Sequence, residues 1–223
     1  MRVGFWRLRD ALAARGIVPT LAINGIVCRS YPRVARAALD LGWEFMGHGF
    51  VQGPMHAVAD QPQAIAETIA AIREFTGRAP VGWESPGLTE TAETIDHLAA
   101  AGIEYVADWV MDDQPVWIPT AHGPVLSVPY SVEINDIPMM VLQSHDGAEL
   151  FERGVAQLER LWEESATVPR VMAISVHPYI TGVPHRIAQF ERLLDYVRSK
   201  PGVVLRTGAG IADWYRAQVP PPR

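Results

Sequence analysis

Cysteine is nearly absent from this sequence, because its 223 residues include a single one, Cys28. One cysteine excludes an internal disulfide framework, and it also excludes a zinc site built from several cysteines. Lone cysteines commonly pack as small apolar side chains. We therefore expect Cys28 to be a buried thiol in a reducing compartment.

Positive charge and long apolar runs are also scarce. The formal net charge is −6 and no basic run or stripe is present, so we expect no nucleic acid partner. No apolar stretch is long enough to cross a bilayer, and Arg7, Arg9 and Asp10 interrupt the apolar core that a signal peptide would need. We expect a cytoplasmic protein without a membrane partner, although a signal encoded upstream on a longer gene product stays open.

The sequence does contain the apolar residues of a globular protein. Hydrophobic residues make up 48% of the chain, and its length suits one domain with a sizeable core. We find no linker, internal repeat or low-complexity block that would divide it. These properties predict a single domain over residues 1–223.

Helical and strand patterns alternate along most of the chain. Apolar residues at helical spacing predict helices over residues 4–16, 31–42, 61–77, 89–102, 147–165, 186–199 and 210–218. Short apolar runs predict strands over 17–24, 43–47, 81–85, 103–110, 170–177 and 203–206, with extended hairpin pieces at 115–119, 124–134 and 138–143. This alternation predicts an α/β fold with a parallel sheet, open or closed into a barrel.

Chemistry in such folds gathers where parallel strands end, so polar residues that follow a strand are candidates for a site. Of the seven histidines, His48 and His177 satisfy this rule best, because the others lie in a helix or farther into loops. The residues that satisfy the rule are Asn24, His48, Glu84, Asp108, Asp112, Asp113 and His177, joined by Glu133, Asn135 and Asp136 after a hairpin piece.

The two strand-end histidines each allow two interpretations. His177 ends the most strand-like run, and Pro178 and Pro184 stiffen the loop that follows it. This favours a positioned general acid or base, and the alternative is a ring bonded to a backbone carbonyl. His48 stands between two glycines, which favours close approach of a ligand, and the alternative is a plain glycine-rich turn. We predict a functional role for both.

The carboxylates and tryptophans near the strand ends leave further alternatives open. Glu84 follows Trp83 and could be a base, a substrate clamp or a solvated loop charge. Asp112 and Asp113 also fit turn chemistry, so we expect only one of the pair in the site. Trp83 and Trp109 could form the floor of a pocket for a flat or cyclic substrate, or they could be simple core residues.

A metal site is hard to complete from the sequence. Zinc needs His, Cys or carboxylate ligands in a fixed geometry, and a His-x3-His pair after a strand would supply two of them. The residue four positions after His48 is Gln52, whose amide is a poor zinc ligand. His48 alone is an incomplete metal site, and the turn at residues 53–54 makes a return of His56 speculative.

Four short motifs occur in a fixed order along the chain. They are "GHGF" at 47–50, "GWESPG" at 82–87, "DWVMDDQP" at 108–115 and "ISVHPYITGVPHR" at 174–186. Together they resemble the polysaccharide deacetylase, or NodB-homology, family, nearest its branch of metal-independent allantoinases and related cyclic-amide hydrolases. The resemblance covers nearly the whole chain. It implies a deformed (β/α) barrel of about seven units and hydrolysis of an amide C–N bond.

The resemblance also implies roles for individual residues. Usual family members hold a divalent metal with one Asp and two His, use a neighbouring Asp as base, and use a late His as acid. His48 matches the first metal histidine, Gln52 replaces the second, and His177 matches the late acid. "WESPG" replaces an Arg-Pro-Pro-Tyr-like segment, so the usual arginine contact is absent. No strand with an acidic motif precedes residue 3, so we expect the first barrel strand to be missing and the intact protein to be longer.

The leading hypothesis is a hydrolase that cleaves a non-peptide carbon–nitrogen bond of a small, cyclic or sugar-derived amide. This reaction needs an activated water, charge stabilisation on the oxygen and a proton for the leaving nitrogen. His177 would transfer the proton, and His48 would position or polarise the carbonyl. The remaining assignments are Glu84, Asp108 or Asp113 to orient the water, Gln52, Trp83 and Trp109 to bind substrate, and Arg186 to bind an anionic group or pin the loop.

Alternatives remain for the cofactor and the activity. We expect no cofactor, and the alternative is a carbohydrate N-deacetylase that binds a divalent metal such as zinc through His48. A further alternative is a non-catalytic binding relative or a truncated fragment. We expect a small-molecule substrate as the partner, and exposed barrel edges would favour a homo-oligomer, either a dimer or a tetramer.

Overall fold

Residues 3–222 are described by the computed structural model, and they divide into two units. The helical unit consists of residues 3–17 and 129–205, and the sheet unit consists of residues 18–128 and 206–222. Each unit is built from two separate stretches of the chain. The single domain expected over residues 1–223 stays a prediction.

The sheet unit contains a six-stranded sheet. Its strands are β1 (Thr20–Ile23), β2 (Glu44–Gly47), β3 (Gly82–Trp83), β4 (Tyr105–Val106), β5 (Val116–Ile118) and β6 (Val125–Ser127). Their order in the sheet is β1-β2-β3-β4-β6-β5. Every neighbouring pair is parallel except β5 and β6, so the parallel sheet expected from the sequence is confirmed, with one antiparallel strand at its edge.

Helices connect β1 to β2, β2 to β3 and β3 to β4, whereas the connection between the parallel strands β4 and β6 contains β5. The helices are α1 (Gly4–Ala13), α2 (Gly25–Ser30), α3 (Pro32–Asp40), α4 (Gln61–Thr76), α5 (Thr94–Ala100), α6 (Gly147–Glu164), α7 (Pro184–Ser199) and α8 (Gly208–Gln218). Helices α1, α6 and α7 belong to the helical unit, and the others belong to the sheet unit. Over residues 3–222, none of the helices combines the length and the apolar character that crossing a bilayer demands.

Helix α4 shows how local sequence sets the bounds of an element. The Asp60 carboxylate accepts a hydrogen bond from the Gln63 amide N–H, which satisfies one of the unpaired donors at the helix start. Ile65 and Ile72 are fully buried and define the face that packs on the core. The helix ends at Gly77, whose φ of +84° costs glycine little because it has no Cβ. The helix predicted at 61–77 is confirmed.

A tyrosine ring occupies space that two glycines leave open in the sheet unit. A Cβ on Gly82 of β3 would overlap the ring of Tyr105, which is buried in β4. A Cβ on Gly208, the first residue of α8, would overlap the same ring. The start of α8 can approach the sheet at this point because both positions are glycine.

In the helical unit, α6 and α7 pack closely along their apolar faces. A Cβ on Gly154 of α6 would lie 2.7 Å from the methyl groups of Leu193 on α7, so the glycine sets the distance between the two helices. Helix α1 buries Phe5, Leu8, Ala11 and Leu12 along one face. Just beyond α1, Arg15 pairs with Asp195 of α7 at 2.6 Å.

Three predictions of extended structure are wrong. Of the segment 138–143, residues 138–142 belong to a π-helix, Ile137–Leu142, and Gln143 caps its end. Residues 170–177 contribute a single bridge between Ser175 and Asn135, and residues 203–206 form no strand within the described chain. Val204 is 72% exposed. Strand structure requires a hydrogen-bonded neighbour along its length, and an apolar run in the sequence does not supply one.

A half-buried carboxylate at the start of β2 anchors the C-terminal helix α8. Glu44 accepts hydrogen bonds from the Tyr105 and Thr20 hydroxyls, each at 2.7 Å. Both of its oxygens also lie 3.2 Å from the Ala209 amide N–H in the first turn of α8. The carboxylate stabilises this helix end because the first amide N–H groups are unpaired and carry partial positive charge. Burial, and after it the Glu44 charge, raises the pKa of Tyr105 well above its usual value.

We expect Glu44→Ala to lower the free energy of unfolding by about 2–4 kcal/mol, because it removes the helix contact and the carboxylate acceptor of the buried Tyr105 hydroxyl. Urea unfolding followed by circular dichroism measures this loss. Tyr105→Phe removes one donor and keeps the helix contact, so we expect a smaller loss of about 1 kcal/mol.

Glu74→Ala is the matched control, because Glu74 forms an exposed ion pair with Arg29 at 3.5 Å. We expect it to change the free energy of unfolding by less than about 0.5 kcal/mol. Equal losses for Glu44→Ala and Glu74→Ala would contradict the anchoring role of Glu44.

Candidate functional site

Neighbouring parallel strands of the sheet unit end at one edge and present polar residues there. The register pairs Ile23 with Gly47, Gly47 with Trp83, and Trp83 with Val106, so four strand ends lie side by side. The predicted placement of polar residues at this carboxyl edge is confirmed. The residues at or just beyond these ends are Asn24, His48, Glu84 and Asp108.

His48 is held at this edge by hydrogen bonds to the strands on both sides. Its Nδ1 atom lies 2.7 Å from the Glu84 carbonyl oxygen, and its own carbonyl accepts a hydrogen bond from the Asn24 side-chain amide. Because a carbonyl oxygen only accepts, Nδ1 carries a proton, which in the neutral form of the ring leaves the lone pair at Nε2. In this tautomer the His48 ring accepts a hydrogen bond or a proton at Nε2.

Asp108 fixes the loop that follows β3. Its carboxylate, which is 5% exposed, accepts a hydrogen bond from the Ser85 amide N–H. The Ser85 hydroxyl accepts a second one from the Trp83 indole at 3.1 Å. Burial raises the pKa of Asp108 well above its usual value, and the Ser85 N–H partly opposes this rise. The nearby charges of Glu90 and Glu84 raise the pKa of Asp108 further.

The two tryptophans of this edge belong to or pack against the core. Trp83 is fully buried in a cluster with Ile65 and Val106. Trp109 packs against the same cluster, and its indole donates a hydrogen bond to one oxygen of Glu90. Trp83 is thus a core residue, one of the two alternatives that the sequence left open, whereas Trp109 is partly exposed.

The other sheet-unit candidates lie in loops with more exposure. Gln52 is exposed in the loop after His48, and Asp113 is half-buried. The Asp112 carboxylate accepts a hydrogen bond from the Asp113 amide N–H at 2.6 Å. This is the turn chemistry that the sequence offered as the alternative to a functional role for the pair.

The residues around His48 do not complete a metal site. Across residues 3–222, no group of three or more His, Cys, Asp or Glu side chains is arranged to hold a metal ion. Gln52, at the position of the family's second metal histidine, offers an exposed amide. The backbone of His56 is fixed to Thr89 by a hydrogen bond of 2.9 Å from its N–H to the Thr89 carbonyl. The metal that the family implies has no ligand set in this part of the chain.

His177 and Asp136 form the central polar pair of the helical unit. The His177 Nδ1 atom lies 2.6 Å from Asp136 Oδ1. Asp136 Oδ2 accepts hydrogen bonds from the His177 amide N–H at 2.7 Å and from the Thr181 hydroxyl at 2.6 Å. The Asp136 side chain is 0% exposed, whereas the His177 side chain is 31% exposed. The carboxylate fixes the orientation and the Nδ1–H tautomer of a partly exposed ring.

The turn after His177 is fixed by further hydrogen bonds within the helical unit. The His177 carbonyl accepts hydrogen bonds from the Ile180 and Thr181 amide N–H groups, each at 3.0 Å. Arg7 of α1 donates to the Gly182 carbonyl at 3.0 Å. The backbone that carries His177 is held independently of its ring.

Arg186 contacts this turn. Its guanidinium donates to the Ile180 carbonyl at 3.4 Å. Its side-chain stem lies beside Gly147, where a Cβ would lie 3.3 Å from Arg186 Cγ. Of the two roles that the sequence allowed, these contacts support the pinning of the loop.

Asp136 and Thr181 are the residues whose roles sequence reasoning missed. The sequence marks Asp136 as one of three polar residues after a hairpin piece, and no local pattern connects it to His177, which lies 41 residues later. Thr181 carries no signal of a site. The sequence offered one signal, an acidic residue at the end of an extended run. That signal points to His177 only when the 134–136 segment is known to lie beside the 170–177 segment.

Comparison with known proteins supplies the family. No family model matches the chain. A Pseudomonas aeruginosa PAO1 protein assigned as a polysaccharide deacetylase is 30% identical to it, with a TM-score of 0.89 over 98% of this chain and 74% of that chain. The PuuE allantoinase is 26% identical, with a TM-score of 0.92 over 99% of this chain and 74% of that chain.

A fission yeast relative agrees with these structures. The Schizosaccharomyces pombe (strain 972 / ATCC 24843) protein, assigned as a polysaccharide deacetylase, is 25% identical over 238 residues, which cover 98% of this chain and 74% of the relative. The expected fold class, an α/β fold of the deformed (β/α) barrel type, is confirmed by the solved structures. The chain belongs to the polysaccharide deacetylase family, whose members are hydrolases of amide bonds other than peptide bonds.

Proposed function

We propose that this chain hydrolyses an amide C–N bond of a small cyclic or sugar-derived substrate, with His177 as the proton donor to the leaving nitrogen. The His177–Asp136 pair carries this proposal, because a fully buried carboxylate fixes a partly exposed imidazole. General acid–base catalysis needs a ring held in this way. The similarity to the PuuE allantoinase over 99% of this chain supports a cyclic amide as the substrate.

The proposed chemistry follows from the needs of amide hydrolysis. Water adds to the carbonyl carbon, and the C–N bond breaks when the nitrogen receives a proton. In our proposal Nε2 of His177 takes a proton from the attacking water and gives it to the leaving nitrogen. The Nδ1–H group donates to Asp136 at 2.6 Å, so the ring cannot turn away, and the carboxylate charge stabilises the imidazolium from which the proton leaves.

For the sheet unit we propose binding and positioning roles. In its neutral form the His48 ring accepts at Nε2, so this form suits a water or a substrate N–H better than a carbonyl oxygen, which has no proton to give. Glu84 at the adjacent strand end is the proposed orienter of water. Asp108 is proposed as a positioning residue that acts through Ser85. Gln52 is proposed as a substrate hydrogen-bond partner.

We expect His177→Ala to lower kcat by at least about 100-fold, the usual size of general acid–base catalysis. The melting temperature should change by less than about 4 °C, because Asp136 keeps its bonds from the residue 177 amide N–H and from Thr181. Allantoin and tetra-N-acetylchitotetraose are the probes. Turnover of allantoin is measured by formation of the ring-opened acid, and turnover of the oligosaccharide by release of acetate.

His185→Ala is the control for this experiment, because His185 is an exposed histidine at the start of α7. Both its kcat and its melting temperature should equal those of the wild type. Parallel loss of turnover and stability in His177→Ala would support a structural histidine. Binding of a probe by the wild type without turnover would support a non-catalytic binding relative.

We expect Asp136→Asn to fold and to lose about 10²- to 10⁴-fold in kcat, with KM changed by less than about 3-fold. An asparagine can turn its NH₂ group toward Nδ1, which moves the His177 proton to Nε2. Nitrogen-15 NMR of the imidazole detects that change of tautomer. Thr181→Val is the matched variant, since it removes one donor to the same carboxylate and keeps the ring contact. Loss of activity without a change of tautomer would speak against the role of Asp136.

A metal-dependent carbohydrate N-deacetylase is the second candidate, and the 30% identity to an assigned polysaccharide deacetylase favours it. We expect turnover of either probe to survive treatment with EDTA and removal of the chelator, because no three-ligand cluster occurs within residues 3–222. Elemental analysis before and after treatment measures bound metal. Loss of turnover that zinc restores would establish the second candidate.

A further inference from the structure

The turn after His177 exposes one aromatic side chain. Tyr179 is 56% exposed, whereas Ile180 and Thr181, which follow it, are 2% and 0% exposed. Surface loops usually leave consecutive side chains in solvent. This turn is anchored on its inner side and directs a tyrosine outward.

The backbone on both sides of Tyr179 is fixed. The residues after it donate two amide N–H groups to the His177 carbonyl, and the Thr181 hydroxyl bonds the buried Asp136. On the other side, a Cβ on Gly4 of α1 would overlap the Pro178 carbonyl, so the helix and the turn are in close contact. A side chain on a fixed backbone loses little conformational freedom when it binds a ligand.

The Tyr179 ring lies beside the proposed proton donor. The ring centroids of Tyr179 and His177 are 5.7 Å apart with an interplanar angle of 60°, an edge-to-face arrangement. Within residues 3–222, no group donates to or accepts from the Tyr179 hydroxyl. Burial, and then the Asp136 charge, raises the pKa of Tyr179, so the hydroxyl keeps its proton as a donor.

We propose that Tyr179 is a substrate-binding residue that receives the flat face of a cyclic substrate next to the amide that His177 protonates. The inference rests on the proposed function and deepens it by naming the feature that is recognised. That feature is a ring with an apolar or π face, as in a cyclic ureide or in a pyranose that carries an N-acetyl group. A structural tyrosine would bury its ring or bond its hydroxyl, and Tyr179 does neither within the described chain.

Tyr179→Leu and Tyr179→Phe test the proposal, and Tyr31→Leu is the control because Tyr31 is a similarly exposed tyrosine, at 63%, in the sheet unit. Allantoin and tetra-N-acetylchitotetraose serve as substrates, with kcat and KM determined separately. We expect Tyr179→Leu to raise KM about 5- to 10-fold, the size of one stacked aromatic contact, with kcat changed by less than about 3-fold. Tyr31→Leu should keep KM within about 2-fold of the wild type, and Tyr179→Phe, which retains the ring, should raise KM less than Tyr179→Leu does.

Dissociation constants measured in a His177→Ala background separate this proposal from the proposed function. We expect turnover to be slow in that background, and Tyr179→Leu should still weaken binding of the same probe about 5- to 10-fold. Unchanged KM and Kd in Tyr179→Leu would overturn the role of Tyr179 and leave that of His177 intact. Full turnover by His177→Ala would overturn the proposed function alone. Failure of the wild type to bind either probe would overturn the substrate class.

Discussion

The polar structure of the helical unit depends on one carboxylate that has no contact with water. A carboxylate removed from solvent is costly unless donors replace its hydration. Asp136 receives three such donors, and all of them come from His177 and Thr181. Satisfying the buried charge orders the turn, and the ordered turn fixes the imidazole. The same hydrogen bonds that offset the cost of burying the carboxylate also orient the His177 ring for general acid chemistry.

The sheet unit uses a different device to order its polar edge. There, side chains bond to the backbone of the adjacent strand end: Asn24 to the His48 carbonyl, His48 to the Glu84 carbonyl, and Asp108 to the Ser85 amide. These bonds run in sequence across parallel neighbours. Each of these loops is therefore bonded to the one beside it.

Local signals made much of the fold predictable. Helix α4 has its cap, its apolar face and its terminal glycine within 61–77, and a periodic pattern of that kind needs no tertiary information. The predictions of extended structure over 138–143, 170–177 and 203–206 were wrong, because a strand depends on a hydrogen-bonded partner that the sequence does not specify. An apolar run ending in a polar residue has the same appearance whether or not a neighbour pairs with it.

In the candidate site, too, features set by local sequence were predictable and features set by tertiary contacts were not. The position of His48 at a strand end was predictable because the rule about parallel strand ends needs only the order of elements. The partner of His177 was not found, because 41 residues separate it from Asp136 and their contact is tertiary. Trp83 stayed ambiguous because an aromatic next to a strand end has the same sequence pattern in a core and in a pocket. Burial decides that question, and only coordinates give burial.

The hydrogen bonds of Glu44 have a consequence for biosynthesis. Its carboxylate accepts from the Ala209 amide N–H, which lies 165 residues farther along the chain. Strands β1 and β2 are therefore synthesised well before α8. Contacts of such long sequence separation form late, and unfinished sheets expose surface that aggregates. During translation the sheet unit thus stays incomplete until α8 has been synthesised.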